Sequence, residues 1–180
     1  MGLRLRAREL ACACALAFAT SAGAVETAII VSPSASTAAE MAYGVGVDGA
    51  TIALGAPGEN DVAGAAYVVD CATLPCGTPL RIAPAELVAE DAFGTALSLS
   101  ANTLAVTAPG LLPGAAYVFV GDGGGWSQQA KLGPSGLATG ERFGQAVSLS
   151  GDRVAIGAGR IGVNGTGAVY VFVRTGTVWA

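Results

Sequence analysis

The chain has 180 residues, the length of about one domain, and 27 of them are glycine while only 12% are charged. That profile excludes a charged disordered tail, a coiled coil and a helical bundle. Nine basic against thirteen acidic residues leave a net charge of −4, which sets nucleic acid aside as a partner. Histidine is absent, so Ser-His-Asp triads, Cys-His dyads and His-ligated zinc are all removed.

The N-terminus reads as an export signal. Residues 1–9 form a basic region with Arg4, Arg6 and Arg8, and Leu10 to Ala19 is an apolar run too short to span a bilayer. Ala22-Gly23-Ala24 then offers the small-x-small cleavage pattern, which predicts a signal peptide over 1–24 and a mature chain from Val25 outside the cytoplasm, whether secreted, periplasmic or on the cell surface. A lipoprotein reading of Cys12 or Cys14 fails because either leaves almost no apolar run before it. A second stretch, Ala92 to Gly121, carries no charge. Pro109, Pro113 and several glycines break it, and Leu97, Leu99, Leu104 and Val106 alternate, so it predicts half-buried strands and no transmembrane helix.

Over the mature chain the sequence repeats itself. Phe93-Gly94-Thr95-Ala96-Leu97-Ser98-Leu99-Ser100 returns 50 positions later as Phe143-Gly144-Gln145-Ala146-Val147-Ser148-Leu149-Ser150, and in weaker form 52 positions earlier from Met41 to Asp48. Each copy is followed by an apolar run (Ile52 to Pro57, Leu104 to Pro109, Val154 to Gly159) and then by Gly-Ala-x-Tyr-Val at Gly64, Gly114 and Gly167, the last with Ala168-Val169-Tyr170. Each unit predicts four short strands separated by Gly and Pro, two alternating and a third apolar on both faces. In the second unit the fourth strand is expected from Trp126 to Leu132, before Pro134. A four-stranded sheet recurring at this spacing predicts propeller blades, over about 41–92, 93–142 and 143–180.

The Phe-Gly pairs, Gly55-Ala56-Pro57 and the Gly-Ala-x-Tyr-Val-Phe runs resemble FG-GAP repeats, the blades of the integrin alpha-subunit β-propeller and of many bacterial exported proteins. The resemblance covers about residues 27–180. It implies an all-β fold, here a partial propeller of about three four-stranded antiparallel blades, and a noncatalytic extracellular interaction or adhesion module. The first unit departs from the pattern with Met41-Ala42, and Thr107 and Gly159 break the Gly-Ala-Pro. In many such repeats the loop between the second and third strands holds Ca²⁺ through alternating oxygens. Glu59, Asn60 and Asp61 are the nearest counterpart in this chain, without the full spacing; Leu111-Leu112-Pro113 and Arg160 to Asn164 are poorer, and the alternative for all three is a solvated turn.

Other motifs carry less. Gly44-x-Gly46-x-x-Gly49 matches a dinucleotide fingerprint in letters only, since it lies inside a strand of the repeat. Asp91 and Glu141 stand two residues before their Phe-Gly pairs, with Glu40 near the first unit, and are expected to fix the inter-blade turns by hydrogen bonding rather than to act as acid and base. Asn164-Gly165-Thr166 is a glycosylation sequon, meaningful only in a eukaryotic secretory route. Trp126, Tyr67, Tyr117 and Tyr170 are expected in the core rather than on a sugar-stacking surface.

Cys71 and Cys76 are the cysteines left after leader removal, and in an exported protein they are expected to close a small loop between the third and fourth strands of the first unit. Without histidine and with Lys131 as the single lysine, no nucleophile and base pair up. The favoured expectation is therefore a module presenting loops to a protein or glycan; the alternative is a truncated or accessory part of a secreted hydrolase using carboxylates such as Glu59 and Asp61. Ile29 to Pro33 aligns with Ala130 to Pro134, the close of a fourth strand, and Trp179 with Trp126. Three units fall short of the about 4 to 8 blades of a closed propeller. The expectation is an arc that self-associates or a truncated gene product, with 27–33 as a stray fourth strand.

Overall fold

Period-two alternation bounded by glycine turns yields twelve strands in the computed structural model, which describes residue 30 and residues 40–110, 113–133, 135, 141–160 and 166–180. The expected signal peptide over 1–24 and, Ile30 apart, the expected strand over 27–33 lie outside the described residues. The first sheet contains β1 (Val45–Asp48), β2 (Thr51–Ala56), β3 (Ala65–Asp70) and β4 (Leu80–Ile82). The second contains β5 (Leu97–Ser100), β6 (Thr103–Ala108), β7 (Ala115–Gly121) and β8 (Trp126–Leu132). The third contains β9 (Glu141–Ser150), β10 (Arg153–Arg160), β11 (Ala168–Thr175) and the two-residue β12 (Val178–Trp179). In each sheet the strands lie in chain order and every pair is antiparallel. The fold is all-β, three four-stranded antiparallel sheets of a partial β-propeller, as the repeats predict.

The first hairpin of each sheet turns through two residues, and the first of these has positive φ: Gly49 at 57°, Ala101 at 50° and Gly151 at 54°. Such turns match the twist of paired strands. They bring Val47 opposite Ile52, Leu99 opposite Leu104 and Leu149 opposite Val154.

Each sheet has one face of large side chains and one of small. In the second sheet Leu97, Leu99, Leu104, Val106, Tyr117 and Phe119 point back to the first, where they meet the small face carrying Ala53, Ala66 and Val68. Its own small face, with Ala105, Ala116 and Val118, receives Leu149, Val154, Ile156, Tyr170 and Phe172 of the third. Large side chains seated on small ones bring the sheets into close contact through the core, as dense packing requires. The repeated phenylalanine closes one end of each large face: Phe93 stands edge-on to Tyr117 and Phe119 at 5.5 and 6.1 Å, and Phe143 to Tyr170 and Phe172 at 5.6 and 6.3 Å.

Main-chain groups complete the junctions. The Ser98 and Ser100 hydroxyls accept from the Leu149 and Gly151 amides at 2.9 and 3.1 Å, and at the earlier junction the Asp48 carboxylate accepts from the Ala101 amide. Between β2 and β3, the turn α1 (Glu59–Val62) carries Asn60, Asp61 and Val62 at φ of 53°, 55° and 64°. This left-handed course presents the carbonyls of Asp61, Val62 and Ala63 to the amides of Glu90, Ala92 and Phe93. Asp91 supports the same inter-sheet segment: its Oδ2 accepts from the Val88 amide at 2.8 Å. The side chain of Glu141 and residues 161–165, with Asn164, lie outside the described residues.

Candidate functional site

At the end of the molecule where β1 turns into β2 and β3 into β4, the first two sheets part around a cleft of about 400 Å³. Its walls include Thr51, Asp70 and Thr78 from the first sheet and Asn102, Gly121 and Trp126 from the second. Two braced loops frame it. On one side the Cys71–Cys76 disulfide closes the loop after β3, and the Asp70 carboxylate accepts from the Ala72 amide at 2.7 Å. On the other, the Asp122 carboxylate accepts from the amides of Gly124 and Gly125, each at 2.9 Å. Those two backbone hydrogen bonds hold its carboxyl below the ordinary carboxylate range.

The next junction shows why this space exists. There Arg174 and Trp179 face each other across β11 and β12, the guanidinium 5.2 Å from the indole centroid. Arg174 Nε donates to Asp152 at 2.7 Å, Nη1 donates to Thr103 Oγ1 at 3.2 Å, and Trp179 Nε1 donates to Gln129 at 2.8 Å. In the second sheet the same register places Gly121 opposite Trp126. Thr51 and Asn102 stand where Thr103 and Asp152 stand one unit later, in the sequence alignment of the repeats. A guanidinium fills the second junction; at the first, the Trp126 ring lies against Gly121 and the cleft stays open beside them. The remaining polar groups, with the Asp70 carboxylate, are acceptors suited to a cation resting on an indole face.

The residues singled out for calcium sit at the opposite end, in the β2–β3 turn. Glu59 is buried, its Oε2 accepting from the Tyr67 hydroxyl at 2.5 Å and its Oε1 from Arg81 Nε at 2.6 Å. Burial, and then the hydrogen bond to Glu59, pushes the Tyr67 hydroxyl up to about 12. Burial by itself would lower Arg81, but the hydrogen bond and charge of Glu59 outweigh it and the guanidinium is raised. The carboxylate thus ties the turn to β3 and β4. Asp61 lies in the same turn, and its backbone carbonyl accepts from the Glu90 amide of the segment that leads to the second sheet. Among the described residues no cluster of three or more His, Cys, Asp or Glu side chains stands close enough to share a metal ion.

Of the aromatic residues expected inside, Tyr67 and Tyr117 are 1% and 2% exposed. Trp126 is only half-buried, packing on the core with one part of the ring and lining the cleft with another. Lys131 lies over the Tyr117 ring, 5.2 Å from its centroid. Asp70, Asn102 and Gly121 were not singled out by sequence reasoning. The signal that reveals them is the lost arginine: aligning Val118 to Gly121 with Val171 to Arg174 puts glycine where the later unit has a guanidinium.

Residues 126–172 match the family model of the FG-GAP repeat. The matched stretch starts on β8, runs through β9 and β10 and ends within β11, so it spans the Phe143-Gly144 pair and the third unit's Tyr170. No curated protein matches the chain. Sheet architecture and repeat together make this a repeat module of the β-propeller type.

Proposed function

We propose that the protein is a noncatalytic, exported interaction module that grips a basic side chain of a protein partner in the cleft between its first two sheets. The observation that carries this reading is Arg174, which occupies the equivalent position one junction later with Asp152, Thr103 and Trp179 around it. A partner arginine or lysine entering beside Trp126 finds Thr51 and Asn102 where Arg174 finds Thr103 and Asp152, with the Asp70 carboxylate of the first sheet, which has no counterpart at the second junction, supplying the negative charge. The acidic balance of the chain favours such a partner over an anionic one. Export is supported by the leader pattern and by the disulfide between Cys71 and Cys76. Among the described residues no helix is long and apolar enough to cross a membrane.

The reading as part of a secreted hydrolase draws no support from Glu59, since both of its oxygens are held by Tyr67 and Arg81. Calorimetric titration with arginine-containing peptides, against the same peptides with citrulline, tests the proposal. Binding of the arginine set, lost in Gly121→Arg, is expected, because the new guanidinium would reproduce the filled state of the second junction. Equal binding of both peptide sets, or binding unchanged in Gly121→Arg, would overturn it.

A further inference from the structure

The filled junction carries a pattern finer than charge alone. Arg174 gives different nitrogens to different sheets there: Nε donates to Asp152 of the third and Nη1 to Thr103 of the second, with the guanidinium 5.2 Å from the Trp179 centroid. The backbone amide of Arg174 also donates to the Asp152 carbonyl at 2.8 Å, and the Gly121 amide makes the same bond to the Asn102 carbonyl at 2.8 Å. Asn102 is therefore set against Gly121 as Asp152 is set against Arg174. What changes between the two positions is a carboxylate for an amide.

That amide has a fixed orientation. Asn102 Nδ2 donates to the Gly121 carbonyl at 3.2 Å, and the reversed amide would set two acceptor oxygens against each other. Oδ1 is left as an acceptor on the cleft wall. Among the described residues no donor reaches Oδ1, the hydroxyls of Thr51 and Thr78, or the second carboxylate oxygen of Asp70, whose Oδ1 is taken by the Ala72 amide. No lysine or arginine lines the cleft among the described residues. Acceptors thus stand on both walls, Thr51, Asp70 and Thr78 on the side of the first sheet and Asn102 on the side of the second, and of these only Asp70 is charged.

We infer that the cleft selects arginine over lysine, with Asn102 as the residue that decides between them. The inference rests on the function proposed above and narrows its ligand to a guanidinium. A guanidinium presents its N–H donors in one plane, so it can serve acceptors on opposite walls while a flat face remains free for the indole. An ammonium is a compact, strongly hydrated point charge. Exchanging that hydration for one exposed carboxylate and neutral acceptors recovers little of what is lost, whereas the weakly hydrated guanidinium gains from neutral acceptors through their number and direction. Asp70 attracts either cation; Asn102 Oδ1 adds a directed bond for the planar one.

Calorimetric titration of the whole protein with peptides that differ only in carrying arginine, lysine or citrulline at one position reads the selection. The arginine peptide is expected to bind at least about fivefold more tightly than the lysine peptide, the contribution of about one added hydrogen bond. Asn102 is exposed, so Asn102→Ala removes Oδ1 without disturbing the core, and it should bring the two affinities within about twofold of each other. Asn102→Asp should restore the difference, because a carboxylate is what Arg174 meets in Asp152. Asp70→Asn keeps an acceptor for the Ala72 amide while removing the charge, so it should weaken both peptides alike. Lysine binding as tightly as arginine in the parent would overturn the inference and leave a cation site standing. A preference that survives Asn102→Ala would overturn the role of Asn102. Citrulline binding as tightly as arginine would overturn the underlying reading, and the inference with it.

Discussion

Gly64 lies against Phe93 so closely that a Cβ on the glycine would stand 2.1 Å from the phenylalanine carbonyl oxygen. The two residues form a parallel bridge between the first and second sheets, and Gly64 adopts φ of 89°. One unit later Gly114 at 83° meets Phe143 in the same way, at 2.2 Å. The glycine that opens each of the first two Gly-Ala-x-Tyr runs is thus the contact point for the phenylalanine of the following unit. Gly64→Ala is expected to cost roughly 2–4 kcal/mol, because a side chain adds both backbone strain and a clash with main-chain atoms. Chemical denaturation of the variant checks it, and a loss below about 1 kcal/mol would contradict the geometry.

Tyr67 and Glu59 make stability sensitive to alkali. The hydroxyl is raised from its ordinary 10.0 to about 12 in the folded protein, so between those values the unfolded chain has released a proton that the folded chain keeps. Stability is therefore full below about pH 10 and falls as pH rises toward about 12. Burial raises Tyr117 as well, and its contribution has the same sign. Melting temperature followed through this range should decline, and Tyr67→Phe should flatten the decline while lowering stability at neutral pH by about 1–3 kcal/mol, the cost of a lost hydrogen bond to a buried carboxylate.

The Cys71–Cys76 disulfide closes a loop of short span, so its effect on the unfolded chain is modest, about 2 kcal/mol in the chain-entropy account. Reduction should lower the melting temperature by a few degrees and leave the far-ultraviolet spectrum unchanged. Thiol titration of the protein from Val25 onward, which carries neither Cys12 nor Cys14, should find neither cysteine reactive; two reactive thiols there would show that the pair does not form.

Calcium would have to compete with protein donors at the β2–β3 turn, since Arg81 and Tyr67 already hold the Glu59 carboxylate. Chelation is expected to leave the fold intact, and millimolar calcium to raise stability by well under about 1 kcal/mol. Unfolding in chelator, or a large calcium-induced rise lost in Asp61→Ala, would reverse this reading of the turn.

Much of the fold was legible because its determinants are local. Period-two runs and two-residue turns define strands and registers together, and repetition made each unit confirm the others: β8 begins and ends at Trp126 and Leu132, where the sequence places it. What escaped depends on partners far apart in the chain. Glu59 reads as a solvated turn carboxylate until the β3–β4 register sets Tyr67 opposite Arg81 beside it. Trp126 reads as core because it is a large aromatic at a repeat position of a strand, whereas its exposure follows from Gly121 across the ladder and Thr51 across the junction. No pattern along a single strand contains that information.

The alternation of large and small faces gives the stack a direction, since each sheet meets the one before it and the one after it through different surfaces. Both described junctions follow the same large-into-small packing rule, although their polar partners differ. A change within one face must therefore be answered across the boundary, by the face that packs on it. Face chemistry is the constrained variable in this architecture, because each face is read by a different neighbour.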